Sequence, residues 1–111
     1  MATPVHAPTL VIVCYRPRPG AAARLEALCR DHVPALRALG LVTDRPETLM
    51  RAADGTVVEV FEWASAAAIE LAHHHPDVQA LWAALEDVCT QGTLRELTEA
   101  AEPFATFTAL G

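Results

Sequence analysis

Residues 54–65 have the sequence DGTVVEVFEWAS, and this stretch decides the fold. Asp54-Gly55 is a strong signal for a two-residue β-hairpin turn of type I′. The β-branched and aromatic residues at 56–63 predict a strand. Ser65 is a favourable N-cap for a helix that begins immediately after it. The stretch therefore predicts a hairpin whose second strand leads directly into a helix.

The segments on either side of this hairpin extend the pattern in both directions. Upstream, the sequence predicts a strand at residues 9–16 (TLVIVCYR), a helix at residues 21–39 and an extended segment at residues 41–53. Downstream, it predicts a helix from Ala66 to about Gln91 that breaks at His75-Pro76, and a last strand at residues 104–110 (FATFTAL). The element order is then β-α-β-β-α-β. We expect an α+β, ferredoxin-like fold with a four-stranded antiparallel sheet and two helices on one face.

Both faces of the first predicted strand are apolar. Leu10, Ile12 and Cys14 alternate with Val11 and Val13 along the strand. Two helices can cover only one face of the sheet, and a bare apolar face of this size is unusual on a monomer. We therefore expect a homodimer that is joined through the sheet faces.

Composition limits the function classes. The 111 residues are 52% apolar and 20% charged, which is typical of one globular domain spanning residues 1–111. A net charge of −6 argues against a nucleic-acid partner, and the absence of lysine excludes Schiff-base chemistry. The sequence contains no apolar run of membrane-spanning length and no basic region of a secretory signal, so we expect no membrane partner and a cytoplasmic location.

Three titratable residues stand at positions where apolar residues are expected. His32 lies on the apolar stripe of the first helix, Glu59 alternates with Val57 and Phe61, and His73 follows Ile69 by one helical turn. If they converge, His32, Glu59 and His73 could act as an acid/base or ligand-orienting site, with Glu59 as the base. They could also form a two-His-one-carboxylate metal site, or a buried polar network that only fixes the packing.

Four further residues are candidates for binding a small molecule. Trp63 and Trp82 could form the walls of a pocket or belong to the core. Tyr15 lies near a strand end, where it could face the mouth of a pocket. Arg45 could pair with a carboxylate ligand or have a purely structural role. No Gly-rich phosphate loop occurs, because the five glycines are isolated.

Residues 9–110 resemble the dimeric α+β barrel proteins of the antibiotic biosynthesis monooxygenase-like group. The resemblance rests on the strand at residues 57–63, Ser65 with the Ala-rich helix start, the segment HHHPDV at 73–78, and Trp82. It implies a pocket between helices and sheet in each protomer. Some members oxidise aromatic polyketides with dioxygen and no cofactor, and others bind and degrade haem. Both activities use an Asn in the pocket, and this chain contains no Asn.

The sequence thus leaves two functions open. One is a cofactor-independent monooxygenase or isomerase that acts on a compact apolar or aromatic molecule. The other is a non-catalytic module that binds a small ligand or a partner, with a structural His/Glu network. We expect no cofactor, and a divalent metal or haem is the alternative.

Overall fold

A computed structural model describes residues 6–111 as an antiparallel sheet with α-helices on one face. The chain follows the order β1 (Thr9–Pro17), α1 (Ala22–Ala38), β2 (Thr48–Arg51), β3 (Val57–Trp63), α2 (Ala66–His74), α3 (Pro76–Val88), β4 (Cys89–Gly92) and β5 (Thr108–Ala109). Two 3₁₀ helices, Leu94–Glu96 and Thr98–Ala101, precede β5. The predicted α+β class is confirmed.

The sheet has five strands in the order β4-β1-β3-β2-β5, not the four that the sequence predicts. β3 pairs antiparallel with β1 and β2, so the stretch that decides the fold lies at the centre of the sheet. The predicted helix to Gln91 is wrong at its end, because α3 stops at Val88 and the next four residues pair with the edge of β1. The predicted last strand shrinks to Thr108–Ala109, which pairs with β2 at the opposite edge.

The hairpin between β2 and β3 differs in its turn from the prediction. Ala52 and Thr56 form a backbone hydrogen bond of 2.8 Å, which leaves a three-residue loop rather than two. Gly55 has φ of 93°, whereas no non-glycine residue among those described has positive φ. A type I′ turn needs positive φ at both central residues, so Asp54 excludes it. The Asp54 carboxylate instead accepts a hydrogen bond of 2.9 Å from the Thr56 N–H.

The predicted break in the second helical segment is confirmed at His75-Pro76. Pro76 occupies the first turn of α3, where its missing N–H costs nothing. The His75 ring accepts a hydrogen bond from the Asp77 N–H at 3.1 Å and so caps the new helix. Because of this break, three helices cover the sheet rather than two.

The main core lies between the helices and one face of the sheet. Odd-numbered residues of β3 face the helices: Phe61 and Trp63 pack with α1, α2 and α3, and Val57 packs near the start of α1. On the other face, the 3₁₀ segment covers Cys14 and Val58 through Leu97. Leu10 and Ile12 on that same face are 58% and 47% exposed.

Candidate functional site

Glu59 is a buried carboxylate at the centre of the sheet. It lies on β3 between Val13 of β1 and Leu49 of β2, and it is 0% exposed. Its Oε1 accepts hydrogen bonds from the Tyr15 hydroxyl at 2.8 Å and from Nδ1 of His32 at 2.9 Å. The sequence left open whether His32 and Glu59 converge, and the structure brings the two side chains into contact.

Trp82 extends this contact into a chain of hydrogen bonds. Its indole Nε1 lies 3.1 Å from Nε2 of His32. An indole N–H can only donate, so Nε2 of His32 must accept and Nδ1 must carry the proton. His32 is therefore a neutral ring that accepts a hydrogen bond from Trp82 and donates one to Glu59. Tyr15 is the second donor to the Glu59 carboxylate.

The second oxygen of Glu59, Oε2, is buried and has no hydrogen-bond partner among residues 6–111. A buried acceptor without a partner costs about 1–3 kcal/mol, and more when it is charged. The one basic side chain bonded to this carboxylate, His32, is held neutral by Trp82. The network is therefore energetically expensive, which is unusual for a group whose only role is packing.

Tyr15 stays protonated in this environment. Burial raises the pKa of its hydroxyl far above the ordinary value, and the negative charge of Glu59 raises it further. The hydroxyl is consequently a donor to Glu59 throughout the range in which the protein is folded. Tyr15 contributes to the site as a fixed donor and not as a phenolate.

A cavity of about 680 Å³ lies between the sheet and the helices, in front of this network. Its volume falls within the range of about 300–1,000 Å³ that is usual for small-molecule sites. Most of its wall is apolar or aromatic, and the lining residues include Val11, Val13, Phe61, Trp63, Ile69, Trp82 and Leu85. Tyr15 and His32 also line it, whereas Glu59 is not a lining residue and lies behind them.

His73 lines the same cavity but does not join the network. Its Nδ1 donates to the carbonyl of Ile69 at 2.8 Å, one helical turn earlier. Its ring meets the Trp82 ring edge-on, with centroids 5.2 Å apart. His73 thus contacts the Trp82 ring, whereas His32 accepts the Trp82 indole N–H. Within the described residues, no group of three His, Cys, Asp or Glu is placed to hold a metal ion, so the alternative metal site formed by His32, Glu59 and His73 is not present.

The other candidate residues divide between the two sides of the sheet. Trp63 belongs to the core beside Phe61 and also lines the cavity, so both interpretations of this residue apply. Arg45 is not a lining residue. It forms an ion pair of 3.3 Å with Glu62, whose side chain points to the opposite face by strand alternation.

Several lining residues were not identified from the sequence: Arg18, Glu86, Thr90 and Gln91. Arg18 stands in the segment Pro17-Arg18-Pro19-Gly20, which marks the end of a strand but gives no sign that the arginine faces a cavity. Thr90 and Gln91 belong to β4, which the sequence pattern assigned to a helix. The signal that could have found them is the β-propensity of Thr90, two residues before Gly92.

The three cysteines do not provide a nucleophile. Cys14, Cys29 and Cys89 are free and buried. Burial is the main cause that raises the pKa of each thiol, so the reactive thiolate is disfavoured.

Comparison with protein-family models, with curated proteins and with solved structures finds no match to this chain. Among residues 6–111, none of the helices has the length and apolar character needed to cross a membrane.

Proposed function

We propose that this protein binds a compact aromatic or largely apolar molecule in the cavity between its helices and sheet. The proposal rests on the cavity of about 680 Å³, whose wall is mostly apolar. Beside this apolar wall lies the hydrogen-bond network of Trp82, His32, Glu59 and Tyr15. A pocket with mostly apolar walls and a few fixed polar groups is the usual form of a small-molecule site.

The aromatic lining favours an aromatic ligand. Phe61, Trp63 and Trp82 contribute rings to the wall, and aromatic pairs gain about 0.5–1.5 kcal/mol beyond the burial of their area. Trp82 is held by its indole N–H to His32 and by its edge contact with His73. A ring that is already held in place loses little conformational entropy on binding, which favours affinity.

Glu59 is assigned a positioning role rather than the role of base. Its carboxylate lies behind Tyr15 and His32, so a molecule in the cavity meets those two side chains first. The carboxylate fixes the proton of His32 on Nδ1 and orients the Tyr15 hydroxyl. Through these contacts it determines the polar surface at the base of the cavity.

A second candidate function is a cofactor-independent isomerase or monooxygenase, and the geometry of His73 favours it. The Ile69 carbonyl holds the proton of His73 on Nδ1, so the neutral ring keeps a lone pair on Nε2. A lining histidine in this form can accept a proton from an acidic C–H or O–H group of a bound molecule. The resulting anion is the intermediate that an isomerase reprotonates and a monooxygenase presents to dioxygen.

The experiment that tests binding compares two tryptophan substitutions on one helix. Ile69 lines the cavity, whereas Leu71 is 63% exposed on the same helix. Thermal shift with a panel of mono- and bicyclic aromatic molecules should raise the Tm of the native protein, because a ligand of the folded state stabilises it. Ile69→Trp places a larger ring in the cavity and should reduce the shift, while Leu71→Trp should keep it. A panel without any shift, or shifts that Ile69→Trp leaves as large as in the native protein, would contradict the proposal.

We also propose that the fold is ferredoxin-like and pairs with a second copy as a dimeric α+β barrel. The order β4-β1-β3-β2 within the sheet supports the first part. The exposed apolar residues Leu10 and Ile12 on the face without α-helices support the second. The sequence resemblance to the antibiotic biosynthesis monooxygenase-like group agrees with both parts.

A further inference from the structure

Arg18 is a permanent positive charge in the lining of the cavity. It follows β1 directly, and its side chain belongs to the cavity wall together with Gln91 and Glu86. Arginine keeps its charge at every pH at which proteins are folded. A purely apolar ligand would not need a fixed positive charge beside the apolar and aromatic walls of its cavity.

One edge of the Arg18 guanidinium is bonded to the protein, and the other forms no hydrogen bond with residues 6–111. Nε and Nη2 both donate to the backbone carbonyl of Glu86, at 3.2 and 3.0 Å. No other hydrogen bond from this side chain occurs among residues 6–111. Guanidinium has five N–H donors, so Nη1 and the second proton of Nη2 are available on the remaining edge. That edge has the fork geometry that accepts a carboxylate in a bidentate manner.

The backbone of Arg18 is also fixed. Its N–H donates to the Val88 carbonyl at 2.9 Å, and its carbonyl accepts from Ala21 at 3.0 Å. Pro17 and Pro19 flank it and restrict the backbone on both sides. The guanidinium is thus held in place at the backbone and at one edge of the side chain, so a ligand would find it preorganised.

Arg18 lacks the acidic partner that most arginines of this chain have. Five of the eight arginines form ion pairs with carboxylates within 4.0 Å: Arg16, Arg30, Arg37, Arg45 and Arg51. Among residues 6–111, Arg18 forms none, although the chain has six more acidic than basic residues. Glu86 gives its backbone carbonyl to Arg18, and its carboxylate does not pair with the guanidinium.

We propose that Arg18 binds the carboxylate of the ligand, so that the cavity takes a compact aromatic carboxylate with its ring against Trp82 and its acid group at the free guanidinium edge. This inference rests on the proposed function of the cavity as a small-molecule site. It also replaces Arg45, which the sequence offered as the carboxylate partner and which pairs with Glu62 instead.

The test compares 2-naphthoate with 2-naphthamide, a neutral molecule of nearly the same shape, by isothermal titration calorimetry at pH 7 and low salt. A charge-assisted bidentate contact predicts that the native protein binds the carboxylate on the order of tenfold or more tightly than the amide. Arg18→Gln should weaken the binding of 2-naphthoate more than that of 2-naphthamide and so remove this preference. Glu86→Gln removes a negative charge from the cavity lining and should raise the affinity for 2-naphthoate alone.

The matched control is Arg24→Gln. Arg24 is exposed on α1 and is not a lining residue, so its loss makes the same change in net charge without touching the cavity. This variant should keep the preference for the carboxylate. Loss of the preference in Arg24→Gln would show a general effect of charge and overturn the assignment of Arg18.

The outcomes separate this inference from the proposed function. Equal binding of the two probes by the native protein overturns the carboxylate site and leaves the cavity as a site for neutral aromatic molecules. Equal weakening of both probes by Arg18→Gln, with a lower Tm, assigns Arg18 a structural role and also overturns the inference. Absence of binding by both probes contradicts the inference together with the proposed function.

Discussion

His32 links the wall of the cavity to the buried carboxylate of Glu59. Both of its ring nitrogens are used, one by Trp82 and one by Glu59, so the ring cannot rotate without breaking two hydrogen bonds. Tyr15 completes the set as a donor to the same oxygen. A network in which the donors and acceptors follow one order specifies a single arrangement of its side chains.

Because Glu59 accepts hydrogen bonds from both Tyr15 and His32, two substitutions of Glu59 should have different effects on stability. Glu59→Gln keeps an oxygen that can accept from Tyr15 and His32 and removes a buried charge, so we expect the free energy of unfolding to change by no more than about 1 kcal/mol. Glu59→Leu has similar volume but leaves both donors without a partner, so we expect a loss of about 2–5 kcal/mol. Urea denaturation of the two variants measures the difference. Equal destabilisation by both would show that packing and not hydrogen bonding dominates at this position.

The single tyrosine of the chain makes the network visible to alkaline titration. The pKa of Tyr15 is raised by burial and by Glu59, so the unfolded chain loses this proton from its ordinary value of 10.0 while the folded chain retains it. The contribution of Tyr15 to stability is therefore complete below pH 10 and falls above it, by about 1.4 kcal/mol per pH unit. The buried cysteines add a similar decline from about pH 9, their ordinary value.

Tyrosinate absorbance and the unfolding free energy test this decline together. Absorbance near 295 nm should stay absent above pH 10 as long as the protein is folded and should appear with unfolding. In Tyr15→Phe, the free energy of unfolding should show only the decline with pH that the cysteines cause. Titration of the native tyrosine near pH 10 in the folded protein would mean that its hydroxyl is not buried against Glu59.

The elements show which parts of the fold the sequence can predict. The β3 strand, the Ser65 cap and the break at Pro76 are determined by local chemistry, and each occurs where the pattern places it. β4 is different, because Cys89–Gly92 follows an amphipathic helix and becomes a strand only by pairing with β1. The pairing with β1 overrides the local helix propensity of this segment. It also places Gln91 in the cavity wall.

In the candidate site, too, some features follow from local sequence patterns and others depend on tertiary contacts. Periodicity on α1 and β3 permits His32 and Glu59 to meet in one layer but does not establish it, and in the structure the two side chains are in contact. Periodicity shows which face of an element a side chain lies on, but not how far that side chain lies from a cavity. It could therefore not show that Glu59 lies behind His32 and outside the cavity lining. Arg18 depends on the end of α3, where the carbonyl of Glu86 holds its guanidinium, and no local pattern encodes that contact.

The N-cap of α2 offers a test of how this helix supports the site. Ser65 Oγ accepts a hydrogen bond of 3.0 Å from the Ala68 N–H. Ser65→Ala should lower the free energy of unfolding by about 1 kcal/mol, since a free N-terminal donor then lacks its partner. Because α2 carries Ile69 and His73, hydrogen exchange should accelerate in its first turn. Unchanged exchange there would show that packing alone holds the helix end.

The proposed dimer would form through the face of the sheet that carries no α-helix. A second copy placed on Leu10 and Ile12 would remove these two apolar side chains from water. Light scattering after size exclusion should give the mass of a dimer for the native chain and of a monomer for Ile12→Glu. Leu71→Glu, at a more exposed apolar residue on the helical side, should remain dimeric. A native monomer at high concentration would contradict the proposed pairing.

The proposed function requires that the cavity binds a small molecule, and Trp82 in its wall reports directly on such binding. The chain has two tryptophans, so a ¹⁵N-edited NMR spectrum contains two indole signals, which Trp82→Phe assigns. Titration with 2-naphthamide and with 2-naphthoate is the measurement. We predict that both probes shift the Trp82 indole signal in a saturable manner, and that Ile69→Trp weakens the binding of both probes. A Trp82 signal that stays unchanged at saturating concentrations of both probes would contradict the account.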